Sequence, residues 1–330
     1  MKRLLLVSVS AALFLAGCGS SSDDDSADAK GGEAWSYTSG DGKTYDADST
    51  PTRIIAHGPA AAALISFGIK PIAIYSDGPV DQDKSLKDLD LSGIEILSET
   101  YGQIDAEKAA GLKPDLIVAS YWPLEKAYSG FEAGVEDSAQ KVKGLADVVG
   151  PAEGDSVVTK IEGYEELAQS LGADTTGEKI AADKATFQTA VERFRTTVAS
   201  KEGLTSLAVS PAEDLLYVAV PSEASELSDF TQWGLDIMTP DSPDPDFAYW
   251  ENLSWENADK YQPDFVLMDD RDAANSLEVA QGQPTWQNIK AVGAGAVVPW
   301  PAYWMNTYRD YTDQLDQLST AIEKIDPNLT

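Results

Sequence analysis

The chain has 330 residues, with 24 Lys and Arg against 55 Asp and Glu for a formal charge of −31, and 43% of its residues are hydrophobic. This excess of acid is repelled by phosphate backbones and excludes a nucleic-acid binder built on a basic patch. A single His and a single Cys exclude multi-His metal cages and any intrachain disulfide, and the length suits two domains, or one with two lobes, at roughly 100–200 residues per domain.

In chain order, Lys2 and Arg3 precede an apolar run from Leu4 to Ala16 that is too short for a stable membrane span. Residues 1–17 therefore read as a signal peptide. The sequence Leu15-Ala16-Gly17-Cys18 resembles the bacterial lipobox, which implies cleavage before Cys18 and attachment of a diacylglycerol anchor to it. Residues 18–34 follow as an acidic tether rich in Ser, Asp and Gly. Its Asp23-Asp24-Asp25 run lacks the spaced ligands and closing Glu of a calcium loop.

From Arg53 the pattern alternates. Ile54 to Ala56 reads as a strand, Ala60 to Phe67 as a helix stopped by Gly68, and Ile72 to Tyr75 and Ile94 to Leu97 as strands. A short helix over Asp105 to Leu112, a strand over Leu116 to Ala119 and a helix over Val135 to Val149 come next. Strand and helix in alternation predict a parallel, helix-covered sheet. Val157 to Leu171 is helical, and a longer helix runs from about Glu178 to Ser200. In it Ile180, Phe187, Val191, Phe194 and Val198 make one apolar face along a rod of roughly 35 Å at 1.5 Å per residue. Beyond it Leu215 to Val220, Phe265 to Met268 and Ala296 to Pro299 are strand candidates, closed by a helix from about Thr307 to Ile325.

The sequence also repeats itself. Ile104-Asp105-Ala106-Glu107 with Leu112-Lys113-Pro114-Asp115-Leu116-Ile117-Val118 matches Leu253-Ser254-Trp255-Glu256 with Tyr261-Gln262-Pro263-Asp264-Phe265-Val266-Leu267, each pair 149 residues apart. Asp105 and Ser254 suit helix N-caps, and Glu107 and Glu256 suit the positive end of the helix dipole. The register predicts an α/β fold of two similar lobes with central, mostly parallel sheets. They span residues 35–175 and 202–330 and are joined by one long rigid helix over residues 176–201.

The lipobox, the paired motifs and the rod helix together resemble the metal-chelate class of ABC-transporter substrate-binding proteins. Thr50 to Ala56, Phe67 to Ile72 and Leu112 to Ile117 are its most recognisable segments here. The resemblance implies a ligand cleft between the lobes and capture of a ferric siderophore, cobalamin or haem on the extracytoplasmic face of a bacterial membrane. It further implies docking to arginines of an ABC permease through one glutamate per lobe, which correspond to Glu107 and Glu256. The protein is expected to be a monomer without a resident cofactor or a metal bound directly by its side chains.

Ligands of open α/β sheets sit beyond the carboxyl ends of strands. Those ends nominate His57, Tyr75, Tyr101, Tyr121, Trp122, Arg271, Trp300, Tyr303 and Trp304 as ligand contacts. Aromatic faces would cover the organic shell of a ferric siderophore, and Arg or Tyr donors would meet its iron-ligating oxygens. The acidic surface favours a neutral or cationic chelate, hence a hydroxamate. His57 as an axial ligand would indicate haem, and Trp and Tyr could also sandwich a corrinoid. A surface-anchored hydrolase is the alternative from another class. Its one motif, Ser138-Ala139-Gln140-Lys141, lacks the partner motifs of that chemistry, so no catalytic residue is expected.

Overall fold

The chain folds as its hydrophobic runs require, with the most apolar segments becoming strands covered on both faces. The computed structural model describes residues 34–87, 89–302 and 305–326. The expected signal peptide, Cys18, nearly all of the tether, Tyr303 and Trp304 lie outside the described residues. The first elements are β1 (Trp35–Thr38), β2 (Thr44–Ala47), β3 (Ile54–His57), α1 (Gly58–Ser66), β4 (Ala73–Ser76), β5 (Glu95–Glu99) and α2 (Ala106–Leu112). Next come β6 (Leu116–Val118), β7 (Tyr121–Trp122), β8 (Ala127–Tyr128), α3 (Asp137–Lys143), β9 (Val148–Val149), α4 (Val157–Ser170) and α5 (Glu178–Ala199). The remainder is β10 (Ser206–Pro211), β11 (Leu215–Ala219), α6 (Ser225–Gln232), β12 (Trp250–Ser254), β13 (Phe265–Asp269), α7 (Ala273–Gly282), α8 (Lys290–Gly293), β14 (Val297–Trp300) and α9 (Tyr308–Glu323).

The N-terminal lobe holds a sheet in the order β5-β4-β3-β6-β9, every pairing parallel. Helix α1 carries Pro59 in its first turn, where the missing N–H costs nothing. Its Ala60 to Ala63 run is fully buried, short side chains that let the helix lie close to the sheet. The C-terminal lobe has the order β12-β11-β10-β13-β14, with β10-β13-β14 parallel but β10-β11 and β11-β12 antiparallel. The architecture is two α/β lobes, as the repeat register predicts.

The two copies of the repeat share one structural device. Asp115 accepts the backbone N–H groups of Thr52 and Arg53 at 2.9 and 2.7 Å, and Asp264 accepts that of Thr205 at 2.8 Å. Each Pro-Asp therefore clasps the chain entering the neighbouring central strand. The copies diverge at their helices. Asp105 caps α2 by accepting from the Lys108 N–H, whereas Ser254 ends a strand, caps nothing with its side chain and leads into a single 3-10 turn at Trp255–Asn257.

Two further expectations change. The helix foreseen over Val135 to Val149 is confined to α3 and stops at Gly144, while Val148 and Val149 pair with β6 as an edge strand. Ser206–Pro211, not foreseen as a strand, is the central β10. Helix α5 matches its predicted span closely and buries all five residues of its apolar face. Phe187 packs on Tyr308 and Tyr311 of α9 at ring separations of 5.6 and 5.2 Å, and Arg193 pairs with Asp316 and Glu323. Asp229 of α6 accepts from the Val157 N–H that opens α4 and from the Tyr311 hydroxyl of α9, so one buried carboxylate ties three helices.

Candidate ligand cleft

A cleft of about 510 Å³ opens between the lobes. Its N-terminal wall comes from His57 and Pro59 after β3, Asp77 after β4, Tyr101 after β5, and Ser120, Trp122, Glu125, Ser129, Glu132 and Glu153 around and beyond β6. Its C-terminal wall is Phe247, Trp250 and Arg271. These positions follow the rule that open α/β sheets present ligands beyond the carboxyl ends of their strands.

Of the residues nominated from sequence, the fold brings His57, Tyr101, Trp122 and Arg271 together here. Three others do not line it. Tyr75 is buried, donates its hydroxyl to the Ser129 carbonyl at 2.8 Å and packs against His57 and Phe131, because alternate side chains of β4 face opposite sides of the sheet. Trp300 is fully buried, donates its indole N–H to Glu226 at 3.0 Å and meets Trp250 edge-on at 5.9 Å. Tyr121 faces away beside Tyr128, on a separate groove with Lys43 and Lys143. Tyr75 and Trp300 thus back the cleft walls, one behind each lobe's contribution.

His57 is 6% exposed and its Nε2 lies 3.1 Å from Asp77 Oδ2. Burial disfavours the imidazolium, but the Asp77 hydrogen bond and the charges of Asp77, Asp83 and Glu132 outweigh it and raise the His57 pKa. Burial also pushes Asp77 up, yet the same His57 contact leaves its carboxyl below the usual range. Burial raises the Glu132 carboxyl, helped by Glu125 and Asp77, and partial burial, then the charges of Glu132, Glu125 and Asp77 and a hydrogen bond to Glu132, push the Tyr101 phenol up to about 12. Tyr101 therefore stays protonated as a donor. Trp122, half-buried, donates its indole N–H to Ser129 Oγ at 2.9 Å, which fixes its ring at the rim.

Arg271 is held by Asp269, which accepts from its Nε at 2.8 Å while also taking the Ser210 hydroxyl at 3.0 Å. The carboxylate orients the guanidinium as a fixed fork at the end of β13. Beside it, Lys84 of the N-terminal lobe donates to the Asp270 carbonyl at 2.7 Å and approaches the Asp270 carboxylate at 3.5 Å, a polar link across the lobes.

Sequence reasoning missed the acids and the C-terminal aromatics. Asp77 was accessible to it, two residues past the nominated Tyr75. Phe247 and Trp250 were not, because they precede or open the edge strand β12 and fall at no carboxyl end. Among the described residues, no group of three or more His, Cys, Asp or Glu side chains could hold a metal ion, and no helix is long and apolar enough to cross a membrane. Glu107 and Glu256 are both exposed, and neither makes an ion pair among the described residues.

Two α/β lobes, a long helix packed along them and an aromatic-rimmed cleft between them make the architecture of a solute-binding protein. The profile of the periplasmic binding protein family matches residues 68–304, and the chain belongs to that family. The resemblance to its metal-chelate class stands. DesE, a ferric-siderophore receptor protein from Streptomyces coelicolor, is 30% identical over 88% of this chain and 98% of its own, with a TM-score of 0.75. FhuD2 from Staphylococcus aureus, solved with bound ferrioxamine B, is 19% identical over 83% of this chain and 99% of its own, with a TM-score of 0.55. FeuA from Bacillus subtilis, a triscatecholate siderophore binding protein solved with ferri-bacillibactin, is 17% identical over 85% and 95%, with a TM-score of 0.58. No curated protein sequence matches the chain.

Proposed function

We propose that this protein is a lipoprotein anchored through Cys18, which captures a ferric siderophore of the hydroxamate type between its lobes and delivers it to an ABC permease. The observation that carries this reading is the cleft itself, where Tyr101, Trp122, Phe247 and Trp250 offer aromatic faces around the Arg271 fork. Aromatic faces cover the carbon shell of a chelate, and the Arg and Tyr donors address its iron-ligating oxygens. The likeness to DesE, by its title a ferric-siderophore receptor, supports the substrate class. Relatives solved with a hydroxamate and with a catecholate leave the type to the cleft, whose acids oppose a highly anionic catecholate complex.

Docking to the permease runs through Glu107 and Glu256. Both stand exposed, in the first turn of α2 and in the 3-10 turn after β12, at equivalent points of the internal repeat. Carboxylates fixed on separate lobes form charge-assisted pairs with guanidinium groups and sense the lobe spacing. The haem alternative is disfavoured, because His57 is nearly buried and its Nε2 already faces Asp77.

Tryptophan fluorescence tests the reading, since Trp122 and Trp250 line the cleft. Saturable quenching by a ferric hydroxamate at submicromolar concentration is expected. Quenching by haem alone, abolished in His57→Ala, overturns it in favour of haem. Reversing both glutamates to Lys is expected to abolish uptake while ligand affinity stays within about threefold; a large loss of affinity removes the docking assignment.

A further inference from the structure

We propose that the cleft selects a ferric chelate bearing a free ammonium group, and that Glu132 receives that group. The inference deepens the siderophore reading above and rests on it.

Charge pairing at the cleft carries the argument. Four carboxylates line it, and two have their own cations: Asp77 faces His57 at 3.1 Å, and Glu153 accepts from the buried Lys160 at 2.9 Å. Arg271, the guanidinium of the cleft, is itself held by Asp269. Glu125 and Glu132 remain without an ion pair among the described residues. The imbalance is negative, and it sits on the N-terminal wall.

Glu132 differs from an ordinary surface acid. It is 8% exposed; Oε1 accepts the Gly130 N–H at 3.0 Å, the Tyr101 phenol approaches the carboxylate, and Oε2 is buried with no hydrogen bond within ordinary distance and angle among the described residues. An unpaired buried carboxylate oxygen is costly, and a cleft-lining one is satisfied most directly by a donor that arrives with the ligand. Its position is built rather than accidental. Gly130 adopts φ +83°, and a Cβ there would come within 2.6 Å of the Tyr75 ring, so only glycine aims this N–H at Glu132 with Tyr75 packed behind it. A bare cation is a poor candidate, since no three ligating side chains converge among the described residues. An ammonium group needs only one carboxylate and one or two further acceptors, which Glu132 and the more exposed Glu125 supply.

The test uses two ferric linear tris-hydroxamates that differ in one group, a pendant primary amine or its N-acetyl derivative, titrated by tryptophan fluorescence against the wild-type protein and Glu132→Gln. The amine form is expected to bind at least tenfold more tightly to the wild type. In Glu132→Gln the two are expected to bind within about twofold of each other. Equal affinities in the wild type, or a preference that survives Glu132→Gln, overturn the inference and leave the siderophore reading intact. Failure of both hydroxamates to bind the wild type overturns the reading on which it rests. The wild-type comparison needs no variant, so it decides the case even if Glu132→Gln does not fold.

Discussion

The two lobes build the cleft differently, although they share a repeat. The N-terminal lobe is an all-parallel sheet whose strand ends deliver polar and acidic groups: His57, Asp77, Tyr101 and Glu132. The C-terminal lobe replaces two parallel pairings with antiparallel ones, and its edge strand β12 opens with Trp250, preceded by Phe247. The N-terminal wall thus carries the acids of the cleft, and the C-terminal wall is aromatic apart from Arg271. A duplicated scaffold can therefore keep its clasp at Asp115 and Asp264 while the pairing direction of its outer strands changes what each half presents.

The sharpest difference concerns buried charge. In the N-terminal lobe the buried Lys160 is paired with Glu153, but Glu226 at the C-terminal lobe is buried, faced mainly by the Trp300 indole, and its pKa is pushed by burial up to about 7 despite the charge of Lys160. A carboxyl whose folded pKa lies above its unfolded value stabilises the fold fully below the unfolded pKa of about 4.5, and loses that contribution as pH rises through about 7. Glu226→Gln, which keeps an acceptor for Trp300, is expected to remove a pH dependence of roughly 3 kcal/mol at about 1.4 kcal/mol per pKa unit. Thermal unfolding of both proteins from pH 4.5 to 8 checks this, and parallel curves would refute it.

Next in size is the apolar wall. Trp250→Ala should weaken chelate binding by about 2–3 kcal/mol through lost aromatic contact, and more than Tyr101→Ala, whose side chain stands 57% exposed on the acidic wall. Calorimetric titration of the two variants compares the walls directly, and a larger loss at Tyr101 would invert the assignment of cover to the C-terminal lobe. Arg271→Ala should cost about 1–3 kcal/mol of affinity if its fork meets ligand oxygens. Unchanged affinity removes it from the site. The smallest effect is expected at Tyr121→Ala, within about twofold of wild type in the same titration, because its ring lies beside Tyr128 outside the cleft.

Much of this was legible in the chain. The apolar face of α5 emerged residue for residue from helical spacing, and the 149-residue register marked β6 and β13, the strands beside the central one of each sheet. Four of the nominated contacts line one cleft because the rule that placed them, ligand beyond the strand end, depends on topology that alternation already implies. Tyr75 and Trp300 obey the same rule yet turn inward. At a strand end the facing of a side chain is decided by the pleat and by what packs there, and strand bounds read from sequence are uncertain by a residue, enough to exchange the two faces.

By itself the sequence determined the two-lobed α/β architecture, the rod helix and the exposed, equivalent glutamates, because these follow from periodicity and repetition, which are local properties. Tertiary structure alone decided the antiparallel outer strands of the C-terminal lobe and the burial of Trp300 on Glu226, 74 residues away. It also decided the pairing that leaves Glu132 buried at the cleft without an ion pair among the described residues. Charge balance in a buried site depends on which distant side chains meet, and no window along the chain contains that information.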